Sequence, residues 1–183
     1  LIARMLTRVL LFLLLVFVYL SAYSQKYSLE KSSVSFFSEA PIENISAQNS
    51  KTSSLLNAIS GEVAFSIPIR EFKFDKSLME EHFNEKYMES DRYPKAIFQG
   101  KFLNLDLDDK GEQNVRALGK LTLHGVTREI DVTGIVEISS NQILARANFF
   151  IRLKDYKIKI PQLLWNNISE EVKVTVEFTY KPI

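Results

Sequence analysis

An all-β fold of eight or nine antiparallel strands with one short helix is predicted by three features of this 183-residue chain. Apolar residues recur at every second position through most of it, the connections between these runs are short, and only the stretch from Ser77 to Tyr87 follows a helical period. Periodicity admits two closures, a barrel or a two-sheet sandwich.

The amino-terminal stretch has a different character. Arg4 and Arg8 precede an unbroken apolar run from Val9 to Leu20, followed by Ser21-Ala22-Tyr23-Ser24. The run is shorter than the roughly 20 residues that span a bilayer. A basic start, a short apolar centre and Ala22-x-Ser24 predict a cleavable signal peptide over residues 1–24, and hence a periplasmic or secreted protein. What remains, residues 25–183, has the size of one domain with a real core. Of the 23 basic residues, Arg4 and Arg8 leave with the leader, so 21 basic residues face 22 acidic ones. That balance excludes nucleic acid as an expected partner. The chain has no cysteine, so the fold must stand without disulfides and carries no thioether-linked lipid.

Weak strands are predicted around Val34 and Phe36, Ile45 and Ala47, and Leu55 or Leu56. Val63, Phe65, Ile67 and Ile69 form a clearer stripe, after which Phe72 and Phe74 carry the apolar phase on the other parity. That shift predicts a bulge near Arg70. Ser77 with Glu80 reads as a capping box, and Leu78, Met79, His82, Phe83 and Tyr87 share one helical face opposite Glu80, Glu81, Glu85 and Lys86. Pro94 ends the helix by disfavouring the α conformation at Tyr93. A strand from Lys95 to Leu105 follows.

Val115, Ala117, Gly119, Leu121 and Leu123 then alternate with mostly polar residues. His124-Gly125 supplies a hairpin turn, and Ile130, Val132, Gly134, Val136 and Ile138 repeat the alternation. Ala145, Ala147, Phe149, Ile151 and Leu153 make the next stripe. Val172, Val174, Val176, Phe178 and Tyr180 make the last, a strand long enough to pair on both edges, one of them with the first strand near Val34 to Phe37. Small residues on these stripes, among them Ala96, Gly100, Gly119 and Ala147, permit either tight curvature or a lumen.

Catalytic chemistry finds little support. His82 and Glu85 have helical ligand spacing, but Lys86 occupies the place of a second histidine and His124 falls in a turn, so neither a metal nor another cofactor is expected. No Gly-x-Ser-x-Gly elbow or glycine-rich phosphate loop is present. Asp106, Asp108 and Asp109 read as a hairpin loop closed by Lys110-Gly111, and no catalytic residue is assigned. Apolar binding remains. The candidate lumen lining is Phe36, Phe65, Ile67, Phe98, Phe102, Leu121, Val132, Phe149, Ile151, Val174 and Val176, with His82, Tyr87 and Trp165 at the mouth. Each apolar residue taken singly reads more readily as ordinary core than as a ligand contact, and it is the set beside the small inward residues that points to a lumen. Leu163-Leu164-Trp165 reads as a lid, a membrane-touching edge or a plug.

The order and spacing of several segments together resemble the YceI-like family. They are Val34-Ser35-Phe36, Gly61-Glu62 with Phe65-Ser66-Ile67-Pro68-Ile69, Tyr93-Pro94-Lys95-Ala96 with Phe98-x-Gly100, Leu121-Thr122-Leu123-His124-Gly125-Val126-Thr127, and Asp155-Tyr156 with Ile158-x-Ile160-Pro161. The resemblance implies an eight-stranded antiparallel lipocalin-like barrel, exported and non-enzymatic. Its partner would be an isoprenoid or other long-chain amphiphilic lipid held inside, with transient membrane contact. One departure is visible: an Arg-Asp-x-His-Leu segment common in the family falls on Met79 to Phe83, where His82 is kept and the arginine is replaced by Met79. Two alternatives stand beside this reading. One is an exported barrel enzyme acting on a lipid or quinone-like substrate through His82 or Tyr87. The other is a structural envelope or stress-associated domain with a filled core.

Overall fold

The computed structural model describes residues 26–39, 44–139, 141–160 and 169–183. The predicted signal peptide and the loop containing Leu163, Leu164 and Trp165 lie outside the described residues. The strands are β1 (Lys26–Ser38), β2 (Ile45–Asn49), β3 (Ser53–Asn57), β4 (Glu62–Pro68), β5 (Lys73–Phe74), β6 (Lys95–Leu103), β7 (Gly111–Leu123), β8 (Val126–Ile138), β9 (Ile143–Arg152) and β10 (Glu171–Pro182). Eight of them, β1, β3, β4 and β6 to β10, form a ring of antiparallel neighbours closed by the pairing of β10 with β1. β10 is therefore paired on both edges, as expected, since it also pairs with β9 along Glu171 to Tyr180, whereas the ladder between β8 and β9 covers only Gly134 to Ile138 against Ile143 to Ala147.

β1 divides its other edge between two partners. Lys26 to Ser28 pair with β3, whereas Val34 to Ser38 pair with β2. β2 pairs in turn with β5, so a two-strand branch leaves the barrel at one end. Asn49, fully buried at the turn out of β2, ties the branch down. Its Nδ2 donates to the Pro68 carbonyl at 2.7 Å, and its Oδ1 accepts from the Lys51 N–H at 2.7 Å.

The phase change after Ile69 is not a bulge. Ile69–Glu71 form a 3₁₀ turn, whose three-residue repeat places Ile69 and Phe72 on the same side, both buried. Pro68 offers no N–H with which to extend the ladder, and the Ile69 N–H turns instead to the Pro94 carbonyl at 2.9 Å. The register shift is elsewhere, in β1 between Leu29 and Lys31 against β10.

The helix α1 (Ser77–His82) lacks the predicted capping box. Lys76 is its N-cap residue, and the Glu80 carboxylate accepts from Lys73 Nζ at 2.9 Å rather than folding back on the helix end. α1 continues into a π turn, Phe83–Tyr87, in which the Met88 N–H reaches the Phe83 carbonyl at 2.8 Å. The wider turn carries Met88 inward, to 5% exposure, while Leu78 stands 60% exposed and does not dock the helix as its helical phase predicted. No helix among the described residues is long and apolar enough to cross a membrane.

The hairpin at His124-Gly125 is as predicted. Both residues have positive φ, 49° and 72°, as a two-residue primed turn requires. A Cβ on Gly125 would lie 2.5 Å from the Tyr93 ring, so glycine is needed there for space as well. His124 is 8% exposed and joins three segments: Nδ1 lies 3.1 Å from the Tyr156 carbonyl and Nε2 2.9 Å from Glu89 Oε2. It is a fastener of the barrel end, held under the Tyr93 ring at 4.5 Å between centroids.

Candidate functional site

The barrel has two storeys. At the end carrying the β2–β5 branch and α1, the inward stripes enclose an apolar cavity of about 310 Å³. Phe36 on β1, Ile67 on β4, Leu121 on β7, Phe149 and Ile151 on β9, and Val174 and Val176 on β10 supply its walls, with Phe65 at its base. Eight of the sequence-predicted lining residues thus meet in one space, and His82 and Tyr87 stand at its rim as mouth residues. Apart from Ser35, Ser38, His82 and Tyr87, every described lining side chain is hydrocarbon or thioether. Burial pushes the Tyr87 phenol above its ordinary pKa, so it faces the cavity as a neutral group. No group of three metal-ligating side chains occurs among the described residues.

One side of the mouth is a cluster of four rings. Phe83, from the π turn, lies 5.5 Å from Phe36, 5.7 Å from Phe72 and 5.1 Å from Phe74, and Phe36 lies 5.5 Å from Phe72. Such offset and edge-on contacts stabilise beyond the area they bury. Phe72 and Phe74 lie outside the lining predicted from sequence and reach the space because a 3₁₀ turn, not a bulge, precedes them. Met79, Met88, Ile130 and Ile158 also line the space, beyond the lining predicted from sequence. Ile130 belonged to a recognised inward stripe, but nothing in that stripe marked its height in the barrel.

The opposite storey is filled. Phe98, Phe102 and Val132, predicted as lumen lining, lie here around a void of only about 50 Å³. Phe98 stacks against Phe65, its cross-strand partner, at 4.8 Å, Phe65 meets Phe178 at 5.3 Å, and Phe178 meets Tyr180 at 6.3 Å. The Ser54 hydroxyl donates to the Ala64 carbonyl at 2.9 Å, so Tyr180 must donate its own proton to Ser54 Oγ, 2.8 Å away. Burial raises the Tyr180 phenol to about 12.

Most of the small inward residues serve this packed half rather than the cavity. Gly100 and Gly119 face each other across β6 and β7, and a Cβ on either would fall within 2.8 Å of the Phe98 ring. Their missing side chains are the space Phe98 occupies. Gly134 and Ala147, paired between β8 and β9, border the small void, so bulk added at Ala147 would enter packed core and not the large cavity. Ala96 alone among the seven small residues of the stripes lines the large one. The remaining carboxylate cluster is structural: Asp106 Oδ1 accepts from the Asp108 N–H at 2.9 Å, and Gln113 spans the loop through the Asp106 and Asp109 carbonyls. Trp165, the third predicted mouth residue, lies outside the described residues.

Comparison with known proteins gives a consistent picture. A model of the YceI-like domain matches residues 26–180. A polyisoprenoid binding domain from Saccharophagus degradans, implicated in plant cell wall breakdown, superposes with a TM-score of 0.75 at 22% identity, covering 86% of this chain and 98% of that one. BcnA of Burkholderia cenocepacia superposes with a TM-score of 0.70 at 15% identity, covering 81% and 95%. The YCEI protein of Campylobacter jejuni follows with 0.62 at 16%, covering 77% and 86%. No curated protein matches the chain.

Proposed function

The chain belongs to the YceI-like domain family, and from that premise we propose that it is an exported, non-enzymatic protein that binds an isoprenoid or other long-chain amphiphilic lipid inside its barrel. The observation carrying this reading is the cavity. Its volume of about 310 Å³ reaches the range of small-molecule sites, roughly 300–1,000 Å³, and its walls offer a hydrocarbon chain apolar contact with no lysine, arginine or carboxylate among the described lining residues. Burying such a chain is worth about 25 cal/mol per Å² before the cost of fixing it. The polyisoprenoid binding domain of Saccharophagus degradans supports the ligand class. Ser35, Ser38, His82 and Tyr87 suit a polar head group near the rim.

Export rests on Arg4, Arg8 and the apolar run from Val9 to Leu20. Transient membrane contact is supported by the outer surface beside the mouth. Phe37, 41% exposed, and Phe150, 67% exposed, flank Lys173 in consecutive register across β1, β10 and β9. Exposed aromatic rings beside a lysine suit the head-group layer of an anionic membrane. The test is organic extraction of protein purified without detergent, before and after incubation with envelope lipids, followed by mass spectrometry. A bound prenyl or alkyl lipid near one per chain is the expected result. Protein that neither carries nor takes up any long-chain lipid overturns the proposal.

A further inference from the structure

We infer that the lumen is blind, and that Phe65 sets the length of hydrocarbon the barrel accepts. This deepens the lipid-binding reading above and rests on it. Phe65, Ile130, Phe149 and Val176 border both the large cavity and the small void, so these four side chains are the partition between them. Phe98, opposite Phe65 on the neighbouring strand β6, backs it with the rings stacked at 4.8 Å and 16° and borders only the void. It can lie there because Gly100 and Gly119 leave its ring tip room, a Cβ on either coming within 2.8 Å of it. Below that stack Phe178 is 3% exposed and Tyr180 0%. A chain entering past the four-ring cluster at the mouth therefore meets an aromatic floor halfway down.

The depth of the site follows from β10. Val172, Val174 and Val176 line the cavity, whereas Phe178 borders only the void below. Four residues of strand at about 3.3 Å each, tilted by roughly 40°, give on the order of 10 Å from rim to floor, room for about two to three isoprene units. A longer chain must leave its remainder outside the mouth. The protein then recognises one end of a long lipid, or the whole of a short one, and its affinity should stop rising once that segment is filled.

Binding of geraniol, farnesol and geranylgeraniol, measured by displacement of a fluorescent fatty acid, tests this. Affinity should rise about tenfold or more from geraniol to farnesol, since each buried carbon contributes severalfold, and should change less than about threefold from farnesol to geranylgeraniol. Phe65→Ala joins the cavity to the void and should restore a tenfold or greater preference for geranylgeraniol over farnesol. Val176→Phe thickens the partition from above and should erase the preference for farnesol over geraniol. These shifts are opposite in sign, so a general loss of stability cannot produce both. Should Phe65→Ala fail to fold, the milder Phe65→Val and Val176→Phe carry the test. Affinity that keeps climbing to geranylgeraniol in the unsubstituted protein, or a preference unmoved by both substitutions, overturns the blind floor while leaving lipid binding intact. Binding of none of the three alcohols overturns the lipid-binding reading itself, and the floor with it.

Discussion

Replacing Tyr180 by phenylalanine should change the sign of its effect on stability between neutral and alkaline pH. Near pH 7 the substitution removes one buried hydrogen bond, to Ser54 Oγ at 2.8 Å. Ser54 keeps its own donation to the Ala64 carbonyl, so no donor is stranded and the loss should be about 1 kcal/mol. Alkaline pH reverses the balance. The phenol has a folded pKa of about 12 against 10.0 for an ordinary tyrosine, because burial penalises the phenolate. The unfolded chain therefore releases the proton first. Stability is complete below pH 10 and falls as the pH rises through about 12, by about 2 kcal/mol at pH 11.5. Tyr180→Phe has no phenol to ionise and escapes that loss. Tyr87 and Tyr156, also raised by burial, contribute to both proteins and cancel in the comparison. Urea denaturation at intervals from pH 7 to pH 11.5 should show the wild type more stable at the start, the variant more stable at the end, and the curves crossing above pH 10. Parallel curves with a constant gap would refute the buried, neutral phenol.

Three further outcomes follow from packing. Asn49→Ala should cost about 1 to 3 kcal/mol, since the amide ties the end of β2 to the Pro68 carbonyl at the end of β4, and should speed amide exchange in β2 above all. In Gly119→Ala the new Cβ would lie 2.4 Å from the Gln99 carbonyl oxygen and 2.5 Å from Gly100 Cα, contacts that only a shift of β6 relieves. Its denaturation midpoint should fall by the equivalent of about 1 to 3 kcal/mol. Phe83→Ala should cost about 2 to 3 kcal/mol, below the figure for a fully buried ring because one side of Phe83 faces the cavity, whereas Leu78→Ala should stay within about 0.5 kcal/mol. Equal effects at Phe83 and Leu78 in thermal denaturation would contradict the helical face observed.

The strands were legible because a half-buried strand writes its burial into the sequence at period two. Val172 to Tyr180 and Val115 to Leu123 each put the expected stripe inward. Where the backbone left that period, the reading failed for local reasons. The 3₁₀ turn at Ile69–Glu71 and the π turn at Phe83–Tyr87 each change which residues share a face, and neither has a composition of its own. Height along the barrel was equally illegible. Phe98 and Phe36 look alike on their stripes, yet Phe98 borders only the filled half and Phe36 only the cavity, a difference set by which residues stand opposite in neighbouring strands. Gly100 and Gly119 showed the same ambiguity: their missing side chains read as room for a ligand, and the room is taken by Phe98. Tyr180 and Ser54 pair across 126 residues of sequence, a separation over which no local pattern operates.

The central claim is that a lipid chain occupies the half of the barrel beside α1 and stops at Phe65. Methyl-labelled NMR of the detergent-free protein titrated with farnesol tests it most directly. Methyls of Val34, Leu121, Ile151 and Val174, all on the large cavity, should shift progressively. Those of Val115 and Val136 on the small void below, and of Ile143 in the packed core, should stay in place. Shifts confined to exposed methyls such as Leu78 and Leu118, or a spectrum unchanged by farnesol, would contradict the account.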